Sequence, residues 1–141
     1  MFDPAQIEKH GLEVLSFPSA EDALSEISGN AGIALIVTDL YMPGIDGWRL
    51  CRMLRSDAFE EFNDTPILVL SATFSGADAE AITSALGANA FLPIPYKQPE
   101  LLKCVDTLLE GGRFTPEIHV LIVDDDEIQA KILDKALSER G

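Results

Sequence analysis

The sequence predicts an α/β fold with a parallel sheet, on two observations. Short apolar runs alternate with amphipathic stretches of helical period, and the connections between them are brief. Several of those runs are apolar at every position, as expected of strands covered by helices on both faces. In 141 residues, a hydrophobic fraction of 47% and a charged fraction of 24% suit a single domain with its own core.

Leu12–Phe17 is short, β-branched and aromatic, so it reads as the first strand. Ser19 then offers an N-cap with Asp22 three residues on, and Ala23, Leu24 and Ile27 continue a helical stripe up to Gly29-Asn30. Ile33–Thr38 is an apolar strand. After the turn Met42–Gly47 comes a helix carrying Leu50, Met53 and Leu54. Pro66–Leu70 is a further apolar strand, Ala77–Leu86 a helix closed by Gly87, and Ala90–Leu92 a short strand ended by Pro93. Pro99 opens the next helix at a position proline tolerates, with Leu101, Leu102, Val105, Leu108 and Leu109 as its stripe. Residues 111–118 are linker chemistry, rich in glycine. His119–Val123 is another buried strand, and Glu127–Glu139 is a helix expected to turn Ile128, Ile132, Leu133, Ala136 and Leu137 inward.

A net charge of −14 argues against direct binding to nucleic acid or to an anionic membrane. It leaves open both a soluble surface and a gathering of carboxylates at a cation site. Cys51 and Cys104 make no disulfide framework, and both fall in apolar helical patterns where cysteine acts as a small buried hydrophobe. The first ten residues lack a cationic stretch and an apolar stretch, and no run of 18 apolar residues occurs, so a cytoplasmic location is expected.

Parallel sheets keep their functional residues at the carboxyl ends of the strands. Thr38 and Asp39 end one apolar strand, Ser71 follows another, and Asp124, Asp125 and Asp126 follow a third. Carboxylates converging there repel one another unless a cation lies among them. Mg²⁺ suits such a site, being hard, oxygen-seeking and content with one or two carboxylates plus a phosphoryl group. A carboxylate beside it can act as a nucleophile toward a phosphoryl donor.

Four segments carry a family resemblance. Val37-Thr-Asp39-Leu-Tyr-Met42-Pro43-Gly-Ile-Asp46-Gly47 resembles the phosphoacceptor segment of bacterial two-component response-regulator receiver domains. Leu68–Ala72 is similar to their switch-hydroxyl strand, Gly87–Tyr96 to the segment around their fifth strand, and Leu121–Glu127 to their opening acidic strand. The resemblance implies a flavodoxin-like, doubly wound sheet of five parallel strands in the order 2-1-3-4-5. It implies a phosphoacceptor signalling module rather than a conventional enzyme, with self-catalysed phosphorylation and dephosphorylation at most. Asp39 would accept the phosphoryl group from a sensor histidine kinase or a phosphotransfer protein. Mg²⁺ would be held by Asp39, Asp125 and the Tyr41 backbone carbonyl, with Asp124 holding a metal-bound water. Ser71 would be the switch hydroxyl and Phe91 the aromatic that moves with it, while Tyr41 and Thr73 would tune the lifetime of the phosphorylated state.

Plainer roles compete for some of these residues. Asp46 with Gly47 is turn and N-cap chemistry. Asp126 and Glu127 are suited to starting a helix and favouring its dipole. Phe91 is a core aromatic in any case, Trp48 a packing or surface residue, and His10 and His119 are isolated. Asp124-Asp-Asp126 also fits the D-x-D motif of haloacid-dehalogenase-like phosphatases, but only 15 residues follow it.

Two departures stand out. The family places a lysine just before the proline after its fifth strand; here Ile94 stands there, so one charge-assisted contact of roughly 1.5–3 kcal/mol is missing. Lys97 lies three residues on. Ile94 is the feature that supports a pseudo-receiver, a docking module independent of phosphorylation. The order also differs, because the acidic strand comes late. Residues 1–110 carry strands two to five with their helices, and 119–141 carry a first strand and helix, as a piece of a tandem-receiver protein or a permuted receiver would. Completing the sheet within one chain means crossing about 14 Å, three strand spacings. Residues 111–117 reach roughly 25 Å when extended. Exchange between two chains, giving a domain-swapped homodimer, is the alternative.

Overall fold

The computed structural model describes residues 12–27, 32–40, 42, 44–72, 81, 85, 87–110, 118–124 and 126–138. Five strands form one sheet: β1 (Leu12–Phe17), β2 (Ile33–Asp39), β3 (Ile67–Ser71), β4 (Ala90–Pro93) and β5 (Ile118–Val123). Every pairing is parallel and the spatial order is β1-β5-β2-β3-β4. With β5 counted as strand one, this is the expected 2-1-3-4-5 arrangement. The acidic strand thus lies centrally between Leu12–Phe17 and Ile33–Asp39, although it follows both in sequence.

Among the described residues, four helices of defined extent cover the sheet: α1 (Ala20–Ile27), α2 (Gly47–Leu54), α3 (Gln98–Glu110) and α4 (Glu127–Ser138). Strand periodicity sends alternate side chains to opposite faces. Leu121 and Val123 of β5, with Ile67 and Val69 of β3, meet α1 and α2 on one face. Val120 and Ile122, with Leu68 and Leu70, meet α3 and α4 on the other. The inner strands β2, β3 and β5 can therefore be largely apolar, because both their faces are buried. In β2 a register shift between Ile33 and Leu35 sends these two residues, spaced like neighbours on one face, to opposite layers.

The caps follow the sequence. Ser19 Oγ accepts the Asp22 N–H at 3.1 Å at the start of α1, and Asp46 Oδ1 accepts the Arg49 N–H at 2.9 Å at the start of α2. Pro99 is the second residue of α3, within the first turn, where its missing N–H costs nothing. Phe91 and Trp48 pack against the α1/α2 core, Cys51 is fully buried, and Cys104 is only half-buried.

One helix face departs from expectation. In α4, Leu133, Ala136 and Leu137 are buried as predicted, but Ile128 and Ile132 are 72% and 52% exposed. At about 100° per residue, Ile132 lies a quarter-turn from Leu133 and Ile128 lies further round, beyond the arc that the sheet covers. A 3₁₀ segment, Asp57–Phe62, was not signalled by the sequence. It is fixed by distant partners: the Asn63 side-chain amide donates to the Leu54, Ser56 and Phe59 carbonyls. Arg55 donates to the carbonyls of Phe62, Thr65 and Gly87 and to Asn89 Oδ1. The helix expected over Ala77–Leu86 lies largely outside the described residues; 81 and 85 are helical. Residues 1–11, the 111–117 linker, His10 and the His119 side chain also lie outside them. Among the described residues, no helix is long and apolar enough to cross a membrane.

Candidate functional site

All five strands deliver their carboxyl ends to one edge, and the register there sets the site. Thr38 of β2 pairs with Val123 of β5, so Asp39 and Asp124 leave neighbouring strands side by side. On the other flank Asp39 pairs with Leu70, which places Ser71 one residue beyond. Ser71 in turn pairs with Pro93, and its carbonyl accepts the Ile94 N–H at 2.8 Å. Asp39 is therefore central, with Asp124 on one neighbouring strand and Ser71 on the other, each about 4.8 Å away across the sheet.

Burial is uneven. Asp124 and Ser71 are 2% and 1% exposed, while Asp39 is half-buried and open to the edge. The Asp124 N–H donates to the Phe17 carbonyl at 3.1 Å, and its Oδ1 accepts the Asp126 N–H at 2.9 Å, which folds the chain sharply out of β5. Asp126 Oδ1 then accepts the N–H groups of Ile128 and Gln129 at 3.0 and 3.2 Å. Asp126 is thus committed to capping α4. That use favours the capping reading and weakens the D-x-D phosphatase reading.

The turn after Asp39 explains its glycines. A Cβ at Gly47 would collide with the Asp39 carbonyl and the Leu40 backbone, and the Gly47 N–H donates to the Leu40 carbonyl at 2.8 Å. Helix α2 can start this close to Asp39 only on glycine. Gly44 has φ +76°, in the left-handed region, and lies against the Glu21 carboxylate. Glu21 Oε1 accepts the Ile45 N–H at 3.1 Å, so α1 braces the turn that frames Asp39.

Ile94 stands at this edge beside Ser71, but its side chain packs with the α3/α4 core. Tyr96, two residues on, also packs there, and its hydroxyl accepts a hydrogen bond from Gln129 Nε2 at 3.0 Å. Burial raises the Tyr96 pKa above its ordinary value. The Gln129 bond works against that rise, and the charge of Asp124 adds to it. Tyr96 closes the Gly87–Tyr96 segment of the resemblance without a role of its own there, and Gln129 carries no sequence signal; only the topology brings these residues, 33 apart, together. Asp39, Asp124 and Ser71 share the edge, with Phe91 in β4 behind it. Asp125, Tyr41 and Thr73 lie outside the described residues, among which no cluster of three or more potential metal ligands occurs.

A doubly wound parallel sheet in this strand order, with carboxylates on two adjacent strand ends and a hydroxyl on a third, has the flavodoxin-like architecture. The family model for the response regulator receiver domain matches residues 4–106, and the chain belongs to that family. Residues 118–138, which supply the central strand, lie beyond the matched span. The response regulator MprA of Mycolicibacterium vanbaalenii is 37% identical over 108 residues, which are 77% of this chain and 43% of that protein. The chain therefore spans less than half the length of that relative. Among solved structures, the chemotaxis protein CheY4 of Vibrio cholerae superposes with a TM-score of 0.62 at 25% identity, over 74% of this chain and 84% of that one. The receiver domain of a signal transduction histidine kinase from Syntrophus aciditrophicus gives 0.62 at 26% identity, over 79% and 81%.

Proposed function

We propose that this receiver domain is a phosphoacceptor, in which Asp39 takes a phosphoryl group from the phosphohistidine of a sensor kinase or phosphotransfer protein. The observation that carries this reading is the register that sets Asp39 beside buried Asp124, with Ser71 on the opposite flank. In the transfer, the P–N bond to the donor imidazole breaks as a P–O bond to an Asp39 carboxylate oxygen forms, and the ring, already protonated on its other nitrogen, takes the P–N electron pair and leaves as neutral imidazole. The half-buried Asp39 would meet the donor, while the Ser71 hydroxyl would donate to the new phosphoryl oxygens and Phe91, in the neighbouring strand, would move with it.

Two carboxylates one strand spacing apart, one of them almost wholly buried, form a hard oxygen donor set that fits Mg²⁺. Asp39, Asp125 and the Tyr41 carbonyl would hold the ion, with Asp124 orienting its water; when bound it supplies positive charge for the transferring group. The test is incubation with acetyl phosphate or beryllofluoride and Mg²⁺, with the adduct read by mass spectrometry. Labelling of the wild type and its loss in Asp39→Asn are expected. Mg²⁺ should also raise the melting temperature by mass action, an effect that Asp125→Asn should abolish.

Ile94 favours a second reading, a pseudo-receiver that docks partners without phosphate. Its side chain belongs to the α3/α4 core and offers no charge to Asp39. A wild type that takes up no phosphoryl group, with Mg²⁺ present, would leave this reading in place of the first.

A further inference from the structure

The turn that leaves Asp39 is held from outside by one side chain of α1. Glu21 Oε1 accepts the Ile45 N–H at 3.1 Å, and its other carboxylate oxygen lies against Gly44, where a Cβ would come within 2.6 Å of it. Gly44 has φ +76°, so glycine both makes the turn and clears a seat for the carboxylate. The backbone that carries Glu21 is itself fixed: Ala20 before it and Ala23 after it are fully buried, and Ser19 caps the helix. The other end of the turn closes on the nucleophile. The Gly47 N–H donates to the Leu40 carbonyl at 2.8 Å, and Gly47 sits so close to the Asp39 carbonyl that a Cβ has no room. Thr38 Oγ1 donates to that same carbonyl at 3.0 Å. Met42 and Ile45 pack into the α1/α2 core, which sets the depth of the turn and leaves the orientation of its peptides to hydrogen bonds.

We propose that Glu21 is a positioning residue for Asp39. Its carboxylate fixes the peptide between residues 44 and 45, and through the Gly47 contact it fixes the backbone from which the Asp39 side chain reaches a phosphoryl donor. Glu21 acts through the turn and touches neither the phosphoryl group nor a cation. A nucleophile held loosely loses rate at saturating donor, because fewer encounters have the aligned geometry. A glutamate in the first turn of a helix also favours the helix dipole. That role needs the charge, whereas positioning needs only an oxygen acceptor at the same reach. The proposal rests on the reading of Asp39 as a phosphoacceptor.

The experiment measures phospho-Asp39 formation from acetyl phosphate with saturating Mg²⁺ in the wild type, Glu21→Ala and Glu21→Gln, as a function of donor concentration. Melting curves of each fix a common temperature at which all three are fully folded, so that lost protein is not read as lost rate. Glu21→Ala should lower the maximal rate about fivefold, the equivalent of one net hydrogen bond, and leave the half-saturating donor concentration unchanged. Glu21→Gln keeps the acceptor without the charge and should react close to wild type. A maximal rate in Glu21→Ala equal to that of the wild type overturns the proposal while leaving the phosphoacceptor reading intact. An equal loss in Glu21→Gln also overturns it, because the effect then belongs to the charge. So does a loss confined to the half-saturating concentration. A wild type that forms no adduct removes the phosphoacceptor reading, and the proposal with it.

Discussion

Replacing Ile94 with lysine tests what the missing ammonium costs. The Ile94 N–H is bonded to the Ser71 carbonyl, and Ser71 and Asp39 end adjacent strands. Position 94 is thus two strand spacings from Asp39, about 9–10 Å, a gap that a four-carbon ammonium stem and the Asp39 side chain close between them. Against this, Ile94 is partly buried in the α3/α4 core, and a fully buried isoleucine is worth about 1.5–3 kcal/mol. The lysine stem covers much of the same surface, so a stability loss of about 1 kcal/mol is expected. The gain is one charge-assisted contact to the phosphoryl group, about 1.5–3 kcal/mol. Realised in the transition state, that is roughly 10–100-fold in rate. The assay is the rate of phospho-Asp39 formation from acetyl phosphate with saturating Mg²⁺, comparing the wild type, Ile94→Lys and the neutral control Ile94→Met. A folded Ile94→Lys protein that reacts no faster than Ile94→Met would refute the reasoning, and would mean that Lys97 or no cation at all serves the site.

Deleting residues 113–141 removes β5, whose residues 120–123 are almost fully buried between β1 and β2. The product should be insoluble or molten, since two apolar strands would present open edges; a soluble product with sharp thermal unfolding would contradict this. In the intact protein, sedimentation separates strand insertion within one chain, a monomer, from exchange between two, a dimer. Burial pushes the Cys51 thiol up to about 11, with Arg55 pulling the other way. The folded state therefore holds this proton more tightly than the unfolded state, so the contribution is complete below pH 9 and is lost as pH rises toward 11. Over that window stability should fall by about 2–3 kcal/mol, and Cys51→Ala should flatten the slope in denaturant titrations.

The inner strands were legible because β2, β3 and β5 are apolar on both faces, a pattern that solvent-facing elements do not produce. Asp39, Ser71 and Asp124 were legible because each is a polar residue at the end of such a run. The α4 face was misread at Ile128 and Ile132, since hydrophobicity alone does not say how wide an arc the sheet covers. The 3₁₀ turn at Asp57–Phe62 has no strong period of its own. It is held by Arg55 and Asn63, whose partners lie up to 34 residues away. The Tyr96–Gln129 contact was invisible for a related reason: it exists only once β5 has entered the sheet.

That entry has a kinetic meaning. β1 and β5 pair from Leu12 with Ile118, a separation of 106 residues, and the same strand must also pair with β2. On a ribosome the two flanking strands emerge long before the strand that belongs between them. Until it arrives they must stay unpaired with each other or separate again, and closing so long a loop is slow. The site edge forms in the same event, because Asp124 arrives with β5. The nascent chain is thus without its complete acidic edge until the sheet is finished, and its exposed strands are open to chaperones and to misassembly during that interval.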